Sequence, residues 1–152
     1  MDKTVIEGTT QDRYDYEKQK LLVEQWKKMI DLADGNSEKR IKTNSIYITI
    51  TTLITASTNI LSGIPSDMLS LIGMLVSLLW FFSLVNYKET NKHRYQVIRE
   101  LEDQMISQPI TNEYHKLNET PFYIGNTIIE YMIPLVFIFA FCILLSHSLS
   151  IF

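Results

Sequence analysis

Residues 44–86, NSIYITITTLITASTNILSGIPSDMLSLIGMLVSLLWFFSLVN, decide the fold of this chain. The stretch contains no Lys, Arg, Glu or His, and its only charged residue is Asp67. A short break, GIPSD at 63–67, divides it into two apolar runs. Each run is about 20 residues long, which lets a helix cross a hydrocarbon core of about 30 Å. We therefore predict a transmembrane helical hairpin with spans at 44–63 and 67–86.

A third span is predicted at 124–150, and it contains one carboxylate and one internal proline. Glu130 lies about one turn inside the span, and Pro134 is predicted to bend the helix one turn later. A carboxylate in lipid is costly unless it reaches the headgroups, is paired, or faces water. Glu130 is therefore either a side chain that reaches the headgroups or part of a carboxylate ring at the inner mouth of a cation pathway.

The distribution of charge sets the expected topology. The net charge is −3, and every Lys and Arg lies in 1–43 or 87–123. Because basic residues favour the cytoplasmic side, we predict a cytoplasmic N-terminus and an outer C-terminus, in the bacterial inner membrane. The acidic balance gives no electrostatic footprint for duplex nucleic acid.

The first cytoplasmic segment, 1–43, combines a polar lead-in with an amphipathic helix. Apolar residues recur at steps of three and four from Gln11 onward, and Trp26 and Met29 lie on this stripe. Gly35 predicts the end of the helix, because glycine suits the left-handed position that follows many helices. A second helix is predicted to continue into the first span. The apolar stripe either packs against another helix or lies on the membrane surface.

The second cytoplasmic segment, 87–123, predicts a helix to about Met105, followed by a loop with Pro109 and Pro121. The apolar stripe of this helix calls for a partner, and the first amphipathic helix is the expected one. The candidates for cytoplasmic assembly or gating are Trp26, Met29, Tyr95, Ile98 and Leu101.

The first span is the most polar of the three, because threonine and serine recur along it. Hydroxyls can donate to carbonyls one turn back, so they are tolerated in lipid. They either line close helix contacts or face water in a ring of such helices. The candidates for lining a pore are Thr49, Thr52, Ala56, Asn59 and Glu130.

The sequence gives no sign of catalysis. It contains no G-x-S-x-G, Walker, H-E-x-x-H or C-x-x-C motif, and its only cysteine is Cys142. We expect neither an enzyme nor a bound metal or cofactor. A small anion held between the cytoplasmic helices remains an alternative. The available cations are Lys39, Arg40, Lys42, Arg94 and Arg99.

The order of segments resembles that of a known family. YEKQKLLVEQWKKMIDLADGNSEKRIKTNSIYITI leads into the first span, LLWFFSLVNYKETNKHRYQVIRELE leaves the second, and IIEYMIPLVF lies in the third. In these parts the chain resembles the RipA family of octameric membrane proteins. It also resembles, more loosely, the SLATT group of two-span bacterial effectors. The first resemblance implies a homo-oligomeric membrane assembly, and the second implies a pore-forming effector in antiviral defence.

The sequence therefore predicts an all-α integral membrane protein, with three transmembrane helices and a cytoplasmic helical layer, that forms oligomers. The favoured function is a homo-oligomeric channel or pore-forming effector that is gated from its cytoplasmic helices. The alternative is a non-conducting scaffold that recruits a cytoplasmic partner. Expected partners are membrane lipid and further copies of the chain, with a cytoplasmic signalling protein or a nucleotide signal as a further candidate.

Overall fold

The computed structural model describes residues 3–60, 64–120 and 126–149, with side chains described in 11–58, 64–120 and 128–148. These ranges contain helices and no strand, which confirms the predicted all-α class. The four helices are α1 (Lys3–Ile60), α2 (Ser66–Glu102), α3 (Pro109–Asn118) and α4 (Asn126–Leu149).

Helix α1 runs without a break where the sequence predicts one. It begins at Lys3, before the expected start at Gln11, and it continues through Gly35 to Ile60. A glycine inside a helix costs about 1 kcal/mol relative to alanine, which packing on either side can outweigh. Ala33 is buried on one side of Gly35. The prediction of a helix end here was wrong, because a local signal was weaker than the packing around it.

Two helices, not three, are long and apolar enough to cross a membrane within the described residues. They are α2, with a mean hydropathy of 2.3, and Ile128–Ser148 of α4, with a mean hydropathy of 2.6. The predicted span at 44–63 does not join them, because its threonine, serine and asparagine side chains lower its hydropathy. The apolar segments of the chain thus support two of the three predicted spans.

One compact unit consists of Asn36–Thr90 and Ile124–Phe152. Within it, α1 and α2 run antiparallel, because Asn44 contacts Trp80 and Asn36 contacts Tyr87. Trp80 is fully buried in the core of this unit. Its ring packs against Tyr47 of α1 and Phe137 of α4, so a single side chain joins all three helices.

The contact between α2 and α4 is built on small residues. Ser70, Gly73 and Ser77 are buried at steps of three and four, the spacing that a close helix contact requires. The ring of Phe141 from α4 occupies the space that a Cβ on Gly73 would take. The two serine hydroxyls donate to carbonyls one turn back, so no polar group there needs a partner from α4.

The other compact unit consists of Met1–Gly35 and Asn91–Tyr123. Leu22 and Ala33 of α1 and Ile98 of α2 are buried in it, which confirms that the two amphipathic stripes pack together. Helix α2 ends at Glu102 instead of near Met105.

Helix α3 corrects the prediction of a loop after α2. Pro109 occupies one of its first two positions, where the missing N–H of proline has no cost. Gln108 precedes the helix but makes no side-chain capping bond. The N-terminus of α3 therefore depends on a residue from elsewhere in the fold.

Candidate functional site

Four residues of α1 form a small, polar surface that the subunit leaves uncovered. Ser45, Thr49, Thr52 and Ala56 are all exposed, and helical periodicity places them away from the side that packs on α2. We call this set the α1 polar face. It contains three of the predicted pore-lining residues. A fourth, Asn59, has its side chain outside the described part of the chain.

Two hydroxyls of the α1 polar face are bonded to their own helix. Ser45 Oγ donates to the carbonyl of Ile41 at 3.1 Å, and Thr49 Oγ1 donates to the carbonyl of Ser45 at 2.8 Å. Since the hydroxyl protons of Ser45 and Thr49 are directed to the backbone, the lone pairs of these two oxygens remain available on the outer surface. The face therefore offers acceptors to its surroundings.

The α1 polar face lies beside the apolar part of α2. Asn44 Oδ1 accepts from Trp80 Nε1 at 2.8 Å, and the rings of Tyr47 and Trp80 stack with centroids 5.8 Å apart. Trp80 belongs to the apolar run 67–86. Because the two helices are antiparallel, the segment of α1 that carries the polar face runs alongside this run. The α1 polar face and the apolar run 67–86 of α2 therefore lie at the same level of the molecule.

Glu130 is not on the α1 polar face. Its Oε2 lies 3.3 Å from Nε of Arg40, and the two side chains are 20% and 16% exposed. Neither of these two atoms makes a hydrogen bond within the described part of the protein, so the contact is electrostatic. The structure thus joins one predicted pore-lining residue to one predicted anion-binding residue. Neither expected role, the carboxylate ring or the anion contact, follows from this arrangement.

We expect Arg40 and Glu130 to be energetically coupled. Arg40→Leu and Glu130→Gln should each destabilise the protein, because each single change leaves one charge partly buried without its partner. The double variant should therefore lose less stability than the sum of the two single losses. A double-mutant cycle on thermal unfolding in detergent should give a coupling of about 1 kcal/mol. Strict additivity would show that the ion pair contributes nothing.

The other predicted anion-binding cations are in separate surroundings. Lys39 and Lys42 are exposed on α1. Arg94 donates to the backbone carbonyl of Leu32. The guanidinium of Arg99 lies 5.2 Å from the ring centroid of Tyr114. Sequence reasoning grouped cations that the fold assigns to different contacts.

The predicted assembly residues contribute unequally to the packing of α1 on α2. Ile98 is fully buried, Met29 and Leu101 are half-buried, and Tyr95 is exposed. Ile98 is therefore a core residue of the subunit, while Tyr95 lies at the surface.

Glu102 is an organising residue that the sequence analysis missed. It is fully buried, and its Oε1 accepts from the Trp26 indole N–H and the Ile110 backbone N–H, both at 3.0 Å. Its Oε2 accepts from the backbone N–H of Thr111 at 2.9 Å and from the hydroxyl of Thr111 at 2.7 Å. Glu102 thus supplies the missing N-terminal cap of α3 and holds α1 at the same time.

These hydrogen bonds fix the charge state of Glu102. Burial alone would raise its pKa, but the donors from Ile110, Thr111 and Trp26 together outweigh burial and lower the pKa below its ordinary value of 4.5. Glu102 is therefore ionised at neutral pH. The sequence holds one signal for it, an acidic residue shortly before a proline-initiated helix whose own N-cap is weak.

The geometry can be compared with known proteins. A family model matches residues 23–150, which is most of the chain. The chain belongs to the octameric membrane protein family (8xMP). This confirms the resemblance drawn from the segment order, and the family name supports membrane location and self-association. No curated protein and no solved structure matches the chain.

The described residues contain no group of His, Cys, Asp or Glu side chains that could hold a metal ion. What the arrangement offers chemically is an exposed row of hydroxyl oxygens on α1 and a buried carboxylate that joins three helices.

Proposed function

We propose that this protein assembles as an octamer in the bacterial inner membrane and forms a pore lined by the α1 polar face. The observation that carries the proposal is that Ser45, Thr49 and Thr52 are exposed in the subunit while their segment runs beside the apolar part of α2. In a ring of subunits such a face can line the central axis, where water replaces lipid.

The proposal treats residues 44–60 of α1 as a third membrane-crossing segment. Their hydropathy understates their tolerance for lipid, because the hydroxyls of Thr51, Thr55 and Ser57 each donate to a carbonyl one turn back at 2.8 Å. Asn44 is likewise bonded to Trp80. With basic residues confined to 1–43 and 87–123, the N-terminus is cytoplasmic and the C-terminus is outside.

The proposed pore favours cations. Because the hydroxyl protons of Ser45 and Thr49 are directed to backbone carbonyls, the lumen would present oxygen lone pairs and no fixed positive charge. Hydroxyl oxygens can replace part of the water around a cation, whereas an anion finds few donors. Selectivity by this mechanism is modest, since no carboxylate lies on the α1 polar face.

Cysteine scanning tests the pore directly. In a Cys142→Ser background, which removes the only native thiol, Thr49→Cys and Thr52→Cys should react with a charged, water-soluble thiosulfonate reagent. The reaction should lower cation flux through proteoliposomes at least several-fold. Ile46→Cys and Leu53→Cys are matched controls, because these side chains are 58% and 62% exposed on another side of α1.

Two outcomes would overturn the pore. One is that Thr49→Cys and Thr52→Cys form disulfides between subunits but are inaccessible to the reagent, as expected for a dry helix contact. The other is that proteoliposomes show no flux above the level of protein-free vesicles. Gating by the cytoplasmic helices and an antiviral effector role, which the SLATT resemblance implies, remain further parts of the proposal.

A scaffold function is the second candidate, and exposed apolar residues at the cytoplasmic end favour it. Ile106 is 96% exposed in the turn after α2, and Tyr16 on α1 is 68% exposed. A scaffold predicts that Ile106→Ser abolishes the cellular effect while Thr52→Leu does not. The pore predicts the reverse pattern.

A further inference from the structure

A cavity of about 520 Å³ lies between α2 and α3 in the unit of Met1–Gly35 and Asn91–Tyr123. Its volume falls within the range of small-molecule sites, ~300–1,000 Å³. Glu102 creates this cavity indirectly, because its bonds to Ile110 and Thr111 hold the start of α3 against the end of α2. The cavity therefore belongs to a part of the fold that is fixed by hydrogen bonds.

The lining of the cavity combines an apolar surface with a few charges. Ile110 and Leu117 of α3 supply aliphatic surface, and Tyr95 and Tyr114 supply two aromatic rings. Such a composition, mostly apolar with a small number of polar groups, is typical of sites that orient a small organic molecule.

The charges of the lining favour an anion. Lys92 and Arg99 carry positive charge, and Glu113 carries the single negative charge among the lining residues. Two cations and one carboxylate therefore line the cavity, which favours an anionic ligand over a cationic one.

The aromatic side chains favour a planar ligand. The guanidinium of Arg99 lies 5.2 Å from the centroid of the Tyr114 ring, so a cation already rests against an aromatic side chain at the cavity wall. Both groups are planar, and both stack on rings. A ring that enters the cavity can stack on these side chains while its acidic group meets Arg99.

We propose that the cavity between α2 and α3 binds a small organic anion that carries a planar aromatic ring. This site is independent of the proposed pore, because none of its residues lies on the α1 polar face. Gln96, which also lines the cavity, adds an amide that can bond to a polar substituent on the ligand.

Three probes with the same ring test the proposal. Indole-3-acetate is a monoanion, indole-3-ethanol is neutral and tryptamine is a cation. Saturation-transfer NMR on the full-length protein in nanodiscs, corrected with protein-free nanodiscs, should show competable binding of indole-3-acetate. The neutral probe should bind at least tenfold more weakly, and tryptamine should not bind.

Variants locate the site. Arg99→Gln and Tyr114→Leu should each weaken binding of indole-3-acetate at least tenfold, and Arg99→Lys should give an intermediate loss because it keeps the charge without the planar group. Lys18→Gln is the control, since Lys18 is an exposed cation of the same unit that does not line the cavity. Circular dichroism establishes that each variant is folded.

The proposal is overturned if the three probes bind equally, or if Arg99→Gln folds normally and binds indole-3-acetate as the wild type does. It is also overturned if the wild type shows no binding of indole-3-acetate beyond that of empty nanodiscs. Measuring cation flux in the same samples separates this result from the pore, because loss of binding should leave basal flux unchanged.

Discussion

Replacing Glu102 by glutamine should destabilise the unit of Met1–Gly35 and Asn91–Tyr123. Glutamine keeps the size of the side chain but turns one acceptor oxygen into an amide that faces N–H and O–H donors. Since hydrogen bonds to a charged group contribute ~1.5–3 kcal/mol each, we expect a loss of about 2–4 kcal/mol. Thermal unfolding in detergent, followed by circular dichroism, should show a lower Tm for Glu102→Gln.

The same carboxylate should make stability depend on pH in a defined direction. The pKa of Glu102 is lower in the folded protein than its ordinary value of 4.5, so its contribution is fully present above about pH 4.5. That contribution is lost as the pH falls through the lower, folded-state pKa. Glu102→Gln should remove this part of the acid dependence.

Glu100→Gln is the matched control for both measurements. Glu100 is an exposed residue of the same helix and of the same type, so its replacement should change Tm little at any pH. If Glu102→Gln and Glu100→Gln behave alike, the carboxylate does not hold α1, α2 and α3 together.

Replacing Gly73 by alanine should separate α2 from α4. A Cβ at this position would overlap the ring of Phe141, which is itself almost fully buried. Inserting a methyl group into a filled contact typically costs ~1–3 kcal/mol, so Tm should fall. The loss should be accompanied by a smaller folded fraction in size-exclusion chromatography.

Gly35 provides a control, because its replacement by alanine should change stability in the opposite direction. A Cβ at Gly35 would meet no atom within 4 Å. Gly35→Ala should therefore stabilise α1 by ~0.5–1 kcal/mol, because alanine has the better helix propensity. Phe141→Leu should restore part of the stability lost in Gly73→Ala. A destabilising Gly35→Ala, or a neutral Gly73→Ala, would contradict the packing described for the subunit.

Much of the helical architecture could be predicted because its signals are periodic. The steps of three and four that join Ser70, Gly73 and Ser77 specify one face of a helix, and that face is buried. The same holds for Ile98 in the apolar stripe near the end of α2. The periodicity shows which side of a helix is buried, even when the helix that covers it is not known.

Local signals were less reliable than periodic ones. Gly35 predicts a helix end, and Pro109 was assigned to a loop, yet both lie in helices. The glycine signal is worth about 1 kcal/mol, so the packing of neighbouring turns can override it. Pro109 has no cost in α3, because it stands in one of the first two positions of that helix. The predicted first span at 44–63 is a different case, because its serine and threonine side chains keep its hydropathy below that of the two helices that are apolar enough to cross a membrane.

The contacts of the candidate site could not be predicted, because they join distant parts of the chain. Arg40 meets Glu130, and Trp26 meets Glu102, through the register of one helix against another. Sequence patterns single out Arg40, Glu130 and Trp26 but not Glu102. They do not show which of these residues meet. The pore-lining role of Thr49, Thr52 and Ala56 remains a prediction, which their exposure in the subunit supports.

The cap on α3 also has a consequence for biogenesis. A ten-residue helix is too short to persist by itself in water, and α3 obtains its N-terminal acceptor from the last residue of α2. That acceptor is in turn held by Trp26 of α1. During synthesis α3 emerges after both, so its folding would report that α1 and α2 have already met.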